Sequence, residues 1–155
     1  MKLRNGDVIN IEKDLKFEIL WPKEEQIPEN ILNNNSIVAK LKYKDFSMLF
    51  TGDIEEIAEK QILKENKNKT EFIKSDINWN ENNLLKATIL KVGHHGSKTS
   101  STQEFIESVK PKIALIGVGK NNNFGHPNKG VLERLEKMRN KNIPYRSSWR
   151  NIDNS

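Results

Sequence analysis

Three histidines, His94, His95 and His126, are the side chains in this sequence best suited to chemistry. A neutral imidazole binds zinc and exchanges protons near neutral pH. The chain has no cysteine, so disulfides and thiolate sites are excluded and any metal must be held by His, Asp or Glu. Gly93 and Gly96 flank the His94-His95 pair and let the backbone bend tightly there. The pair therefore reads either as metal ligands or as ordinary histidines in a turn, with spacing alone favouring neither. Asp53, in Thr51-Gly52-Asp53, is the acidic candidate. Asp53-x-x-Glu56 is also a capping box, and spacing alone slightly favours Asp53 as a helix cap over a ligand, although one residue can do both. Ser97 and Thr99 offer hydroxyls to phosphate oxygens, while Ser101-x-x-Glu104 reads as a second capping box. No Gly-x-Ser-x-Gly elbow marks Ser97 as a nucleophile. His126, in Gly125-His126-Pro127, reads on spacing alone as a polar loop residue, with ligand, proton donor and substrate contact as the chemical alternatives.

These residues need elements to position them. Val8 to Ile11 and Leu15 to Leu20 read as strands, the second alternating through Leu15, Phe17 and Ile19. The polar stretch Lys23 to Asn35 reads as loop. Ser36 to Tyr43 and Phe46 to Phe50 alternate around Lys44-Asp45, which predicts a hairpin. A helix after Asp53 would turn Ile57, Ala58, Gln61 and Ile62 inward, with Glu55 and Glu56 in its first turn. Lys64 to Leu84 reads as an exposed, irregular loop or insertion. Ala87 to Val92 is a strand, Thr102 to Val109 a helix burying Phe105, Ile106 and Val109, and Pro111 ends it. Ile113 to Val118 is so continuously apolar that it predicts a strand covered on both faces. A helix over Lys129 to Arg139, capped by Asn128, buries Val131, Leu132, Leu135 and Met138, and the tail from Ile143 suggests an edge strand. The asparagine runs 33–35 and 121–123 read as compositional bias and loop. Strands alternating with helices predict an α/β fold, and the hairpin makes its sheet mixed. Asp53 and all three histidines then follow directly on strands, where α/β sheets gather their ligands.

The 155 residues suit a single domain, residues 1–155. At 35% hydrophobic and 30% charged, with a mean hydropathy of -0.74, the chain is very polar and its core modest. A net charge of +5 and a pI near 9.3 suit an anionic substrate or nucleic acid, although the lysines are scattered rather than blocked. No apolar run approaches a membrane span and no signal peptide is visible, so the chain reads as soluble and most simply cytoplasmic.

In their order, Asn35-Ser36-Ile37-Val38, Leu49-Phe50-Thr51-Gly52-Asp53-Ile54-Glu55, Leu90-Lys91-Val92-Gly93-His94-His95-Gly96-Ser97-Lys98-Thr99-Ser100, Gly117-Val118-Gly119-Lys120-Asn121 and Gly125-His126-Pro127 form a series. The series resembles the metallo-β-lactamase-like domain of the ComEC competence proteins and their soluble relatives, over about residues 6 to 146. The resemblance implies an αββα sandwich with its active site at one edge. It implies that Asp53 bridges two metals, that His94 or His95 is the late ligand of the second metal, and that His126 is a substrate or proton-transfer residue. The implied metal is zinc, or in some relatives manganese, and the implied reaction is hydrolysis of a phosphoester, in competence proteins one strand of DNA.

No histidine precedes His94, so the His-x-His-x-Asp-His motif that holds the first metal in that family is absent. The chain therefore reads as the C-terminal half of such a domain, and alone it is expected to bind metal weakly and to be inactive. One sheet face should lack cover and favour association with the missing half or with itself. Two functions follow: part of a metal-dependent hydrolase, or a catalytically inactive remnant or basic nucleic-acid-binding module.

Overall fold

Alternation at period two builds most of the sheet. A computed structural model describes residues 2–72, 83–119 and 121–139. Strands β1 (Val8–Glu12), β2 (Leu15–Trp21), β3 (Val38–Tyr43) and β4 (Phe46–Phe50) form an antiparallel meander. The expected hairpin turns at Lys44, whose φ of 51° matches a tight reversal. Strands β5 (Ile89–Lys91) and β6 (Ile113–Leu115) add in parallel, because helix crossovers connect them. The sheet is mixed, as predicted, and its strand order is simply β1 to β6. Four helices complete the described fold: α1 (Ile31–Asn34), α2 (Glu56–Phe72), α3 (Gln103–Val109) and α4 (Lys129–Arg139).

The register sorts the side chains onto two faces. Val38, Leu49, Leu90 and Ala114 share one face and are buried. They join one core cluster with Ala58, Ile62 and Leu63 of α2, Phe105, Ile106 and Val109 of α3, and Val131, Leu135 and Met138 of α4. Trp21 anchors the cluster's margin and donates its indole N–H to the Asn34 carbonyl at 2.7 Å. The opposite face carries an unbroken apolar row across all six strands: Ile9, Phe17, Leu41, Met48, Ile89 and Ile113. Every residue of that row is half-exposed and none belongs to the core cluster.

Several expectations are corrected. The stretch Lys23 to Asn35 is not all loop, since α1 forms there around Asn34. Helix α2 begins at Glu56, so Asp53 does not cap it; Glu55 carries the carbonyl that accepts the Glu59 N–H at 3.0 Å. That start rotates the helix. Ala58, Glu59, Ile62 and Leu63 point inward, while Ile57 and Gln61 are exposed. The region expected to be irregular from Lys64 is helical through Phe72, and 73–82 lie outside the described residues. Ser101 is not a cap either: Thr102 caps α3, accepting the Phe105 N–H at 3.3 Å. Strand β6 is short, and Leu115 on it is 41% exposed, because it lies with Ile113 on the face opposite the core, so β6 is not covered on both faces. Leu132 is half-buried rather than buried. The helix over Lys129–Arg139 and its Asn128 cap stand as read, the cap accepting the Gly130 N–H at 3.0 Å. The edge strand expected from Ile143 falls outside the described residues.

Candidate metal centre

Adjacent parallel strands place Asp53 beside the histidine pair. Past the ends of β4 and β5, the Thr51 hydroxyl donates to the Lys91 carbonyl at 2.7 Å and the His94 N–H donates to the Gly52 carbonyl at 3.0 Å. Gly52 has φ of +51°, and a Cβ there would lie 2.7 Å from the Ser36 Cβ, so a side chain would push the two turns apart. Gly93 to Gly96 close a short 3-10 turn in which His94 and His95 hold φ of 45° and 54°. Two consecutive non-glycine residues in the left-handed region are strained, and such strain persists only where neighbours impose it. The neighbours here include the loop before α4, where Asn128 N–H donates to the Gly96 carbonyl at 2.8 Å.

His95 has a defined proton arrangement. Its Nδ1 lies 2.6 Å from the Gly117 carbonyl oxygen. A carbonyl can only accept, so Nδ1 carries the hydrogen and, in the neutral ring, Nε2 presents a lone pair. That Nε2 lies 3.7 Å from Asp53 Oδ1. Two lone-pair donors at that distance repel unless a cation, a proton or a metal, sits between them.

His94 and His126 make the second group. Their rings meet edge to face with centroids 5.8 Å apart. Both Nδ1 atoms are buried without a hydrogen-bond partner. Glu55 Oε1 lies 3.4 Å from His94 Nδ1, beyond hydrogen-bond geometry. His126 stacks on Phe124 at 6.0 Å, and Asn122 grips its backbone twice, accepting the N–H at 3.0 Å and donating to the carbonyl at 2.9 Å. Desolvation, then the neighbouring His94 and His95, holds the His126 pKa below the ordinary imidazole value. Lys91, on the open sheet face, has its pKa lowered by burial, with Asp53 acting in the opposite direction.

The hydroxyls are arranged differently from each other. Ser97 is buried, with its Oγ 3.0 Å from Thr99 Oγ1, whereas Thr99 is exposed and donates to Glu55 at 2.9 Å. The fold thus brings Asp53, His94, His95, His126, Ser97 and Thr99 to one edge of the sheet. Sequence reasoning missed three contributors: Glu55, Asn122 and Asn34. Asn34 is fully buried and accepts the Glu55 N–H at 3.1 Å. Its position inside an asparagine run hid it, since its partners are set by tertiary folding.

The donor types suit zinc, which takes imidazole nitrogen and carboxylate oxygen. The number does not suffice alone: among the described residues no three His, Asp or Glu side chains come together closely enough to hold a metal ion. The His95–Asp53 approach fits one side of a metal centre.

No family model matches the chain. It is 36% identical over 136 residues to ComE operon protein 3 of Bacillus subtilis, covering 88% of this chain and 15% of that protein. It is 32% identical over 125 residues to Recombination protein 2 of Haemophilus influenzae, covering 81% and 13%, and 28% identical over 119 residues to Competence protein ComA of Neisseria gonorrhoeae, covering 77% and 15%. The relatives it resembles thus include proteins named for competence and recombination, and the chain spans about 15% of the length of the first of them. No helix among the described residues is long and apolar enough to cross a membrane.

Proposed function

We propose that this chain is one half of a metal-dependent phosphoester hydrolase of metallo-β-lactamase type, acting on DNA in competence-related uptake. The observation that carries the reading is the His95 arrangement, with Nδ1 held by the Gly117 carbonyl and Nε2 directed at Asp53. A histidine whose far nitrogen is fixed by a carbonyl is how proteins orient a metal-binding imidazole. Asp53 and His95 would hold a zinc or manganese ion from this side, with His94 as the neighbouring ligand. Bound metal would supply a water acidic enough to attack phosphorus at neutral pH. His126, whose pKa is lowered by desolvation and its histidine neighbours, would exchange a proton with the substrate. Thr99 is exposed for a phosphate oxygen, and buried Ser97 steadies it.

The remaining ligands would come from a His-x-His-x-Asp-His segment outside these 155 residues. The open apolar row supports the αββα reading, because two sheets packed face to face bury such rows against each other. Relatives named for competence and recombination support the pathway. The count of ligands favours a second reading for the chain alone, a non-catalytic module whose charge of +5 holds nucleic acid.

The test is a zinc and manganese titration of the chain with Asp53→Ala, His95→Ala and His126→Ala, alongside nuclease and phosphodiesterase assays with and without an added His-x-His-x-Asp-His polypeptide. Weak metal binding lost in Asp53→Ala and His95→Ala, and cleavage only in the reconstituted mixture, is the expected result. Metal content unchanged by both substitutions would overturn the site assignment. Salt-sensitive DNA binding without cleavage in either mixture would favour the second reading.

A further inference from the structure

We infer that Glu55 is a positioning residue that fixes the ring orientation and tautomer of His94; its relevance to chemistry rests on the metal-edge reading above. Glu55 is rigidly placed. Its N–H donates to Asn34 Oδ1 at 3.1 Å, and Asn34 is in turn held by donating to the Glu29 carbonyl at 2.8 Å and accepting the Trp21 indole N–H at 2.7 Å. The Glu55 side chain is 17% exposed, and Oε1 accepts the Thr99 hydroxyl at 2.9 Å. The same oxygen faces His94 Nδ1 at 3.4 Å.

His94 Nδ1 is buried and has no hydrogen-bond partner. Leaving a buried N–H unpaired is costly, whereas a small rotation of the ring closes the gap to the carboxylate. Catalytic hydrogen bonds are often long before ligand binds and tighten afterwards. A carboxylate accepts and does not donate, so the contact places the His94 hydrogen on Nδ1 and the lone pair on Nε2. His95 reaches the same state through a different partner, the Gly117 carbonyl. The two neighbouring imidazoles are therefore oriented by different partners, a carboxylate and a backbone carbonyl. Thr99 ties the Glu55 carboxylate to the histidine loop, so orientation of the ring and of the exposed hydroxyl is coupled.

Tautomers are read directly by long-range proton–nitrogen correlation on the metal-free, nitrogen-15-labelled full chain, at a pH where both imidazoles are neutral. The expected wild-type spectrum shows His94 and His95 as Nδ1–H tautomers. Glu55→Ala should move His94 to a mixture or to Nε2–H and leave His95 unchanged. Glu55→Gln, whose amide oxygen still accepts, should retain most of the Nδ1–H form. In a cobalt titration of the same proteins, Glu55→Ala should weaken affinity about tenfold. A wild-type His94 in the Nε2–H form overturns the inference even if Glu55→Ala does not fold, and so does an unchanged His94 in a folded Glu55→Ala protein. Absence of cobalt binding in the wild type would count against the metal reading alone, because the tautomer result stands without metal.

Discussion

The turn that holds His94 and His95 at left-handed backbone angles leaves no room for a larger residue at Gly96. At Gly96, with φ of +80°, an added Cβ would lie 2.8 Å from the Pro127 Cβ. Gly96→Ala should therefore cost about 2–3 kcal/mol in urea unfolding. Gly119→Ala, with nothing within 4 Å of its Cβ, should stay within about 0.5 kcal/mol of wild type. Lys40 gives a prediction in pH. It is 7% exposed, donates to the Leu84 carbonyl at 3.0 Å, and burial followed by the neighbouring Lys42 charge lowers its pKa to about 8. Folding penalises its charged form. The penalty is complete below about 8 and disappears as pH rises toward the unfolded value of 10.5. Across that window the unfolded chain binds more protons, so this lysine makes stability rise with pH. After allowance for solvent screening the gain is about 1–2 kcal/mol. Lys40→Met should flatten that part of the stability profile, measured by denaturation at pH 7.5, 9 and 10.5 in parallel with wild type.

Helix α2 separates what periodicity reveals from what it hides. In α4, Val131, Leu135 and Met138 are read correctly because they sit on one stripe with no charged intruder, while Leu132 at its margin is only half-buried. In α2 an acidic residue takes an inner position. Glu59 is 1% exposed and accepts the N–H groups of Ser101 and Thr102 at 2.5 and 2.8 Å, where α3 begins. Arg134 of α4 donates to the Ser101 and Ser100 carbonyls at 2.8 and 3.0 Å, holding the same corner from the other side. A pattern of apolar residues cannot register a buried carboxylate, so the inner face is misread by one position and the capping box is assigned to Ser101. Burial raises the Glu59 pKa, although its backbone partners act against the shift. Its folded carboxylate is thus disfavoured, and its contribution to stability falls as pH climbs from the unfolded value through the raised one. Ile62→Ala should cost about 2–4 kcal/mol, whereas Ile57→Ala, at a position 42% exposed, should cost under about 1 kcal/mol. Equal losses at the two positions would contradict this helix orientation. The grouping of Asp53, His94 and His95 was legible because they closely follow β4 and β5, whereas His126 reaches them through the loop before α4. The open face of β6 was not, since a short apolar run looks the same whether one face or two are covered.

The open row from Ile9 to Ile113 runs across all six strands and is half-exposed among the described residues. Apolar faces of this extent drive association. The isolated chain should therefore sediment with a concentration-dependent coefficient, and Leu41→Glu with Met48→Glu should return it to a monomer without loss of helical circular dichroism. A wild type that stays monomeric at every concentration would show that the face tolerates water. The strand order carries a separate consequence. Each strand pairs with the one made just before it, from β1 to β6. Among the described strands none waits for a later one to be inserted between neighbours, so this sheet can lengthen rung by rung as the chain leaves the ribosome. The histidine-bearing edge, which depends on the ends of β4 and β5 and on the loop before α4, is then completed only after β6 has been made.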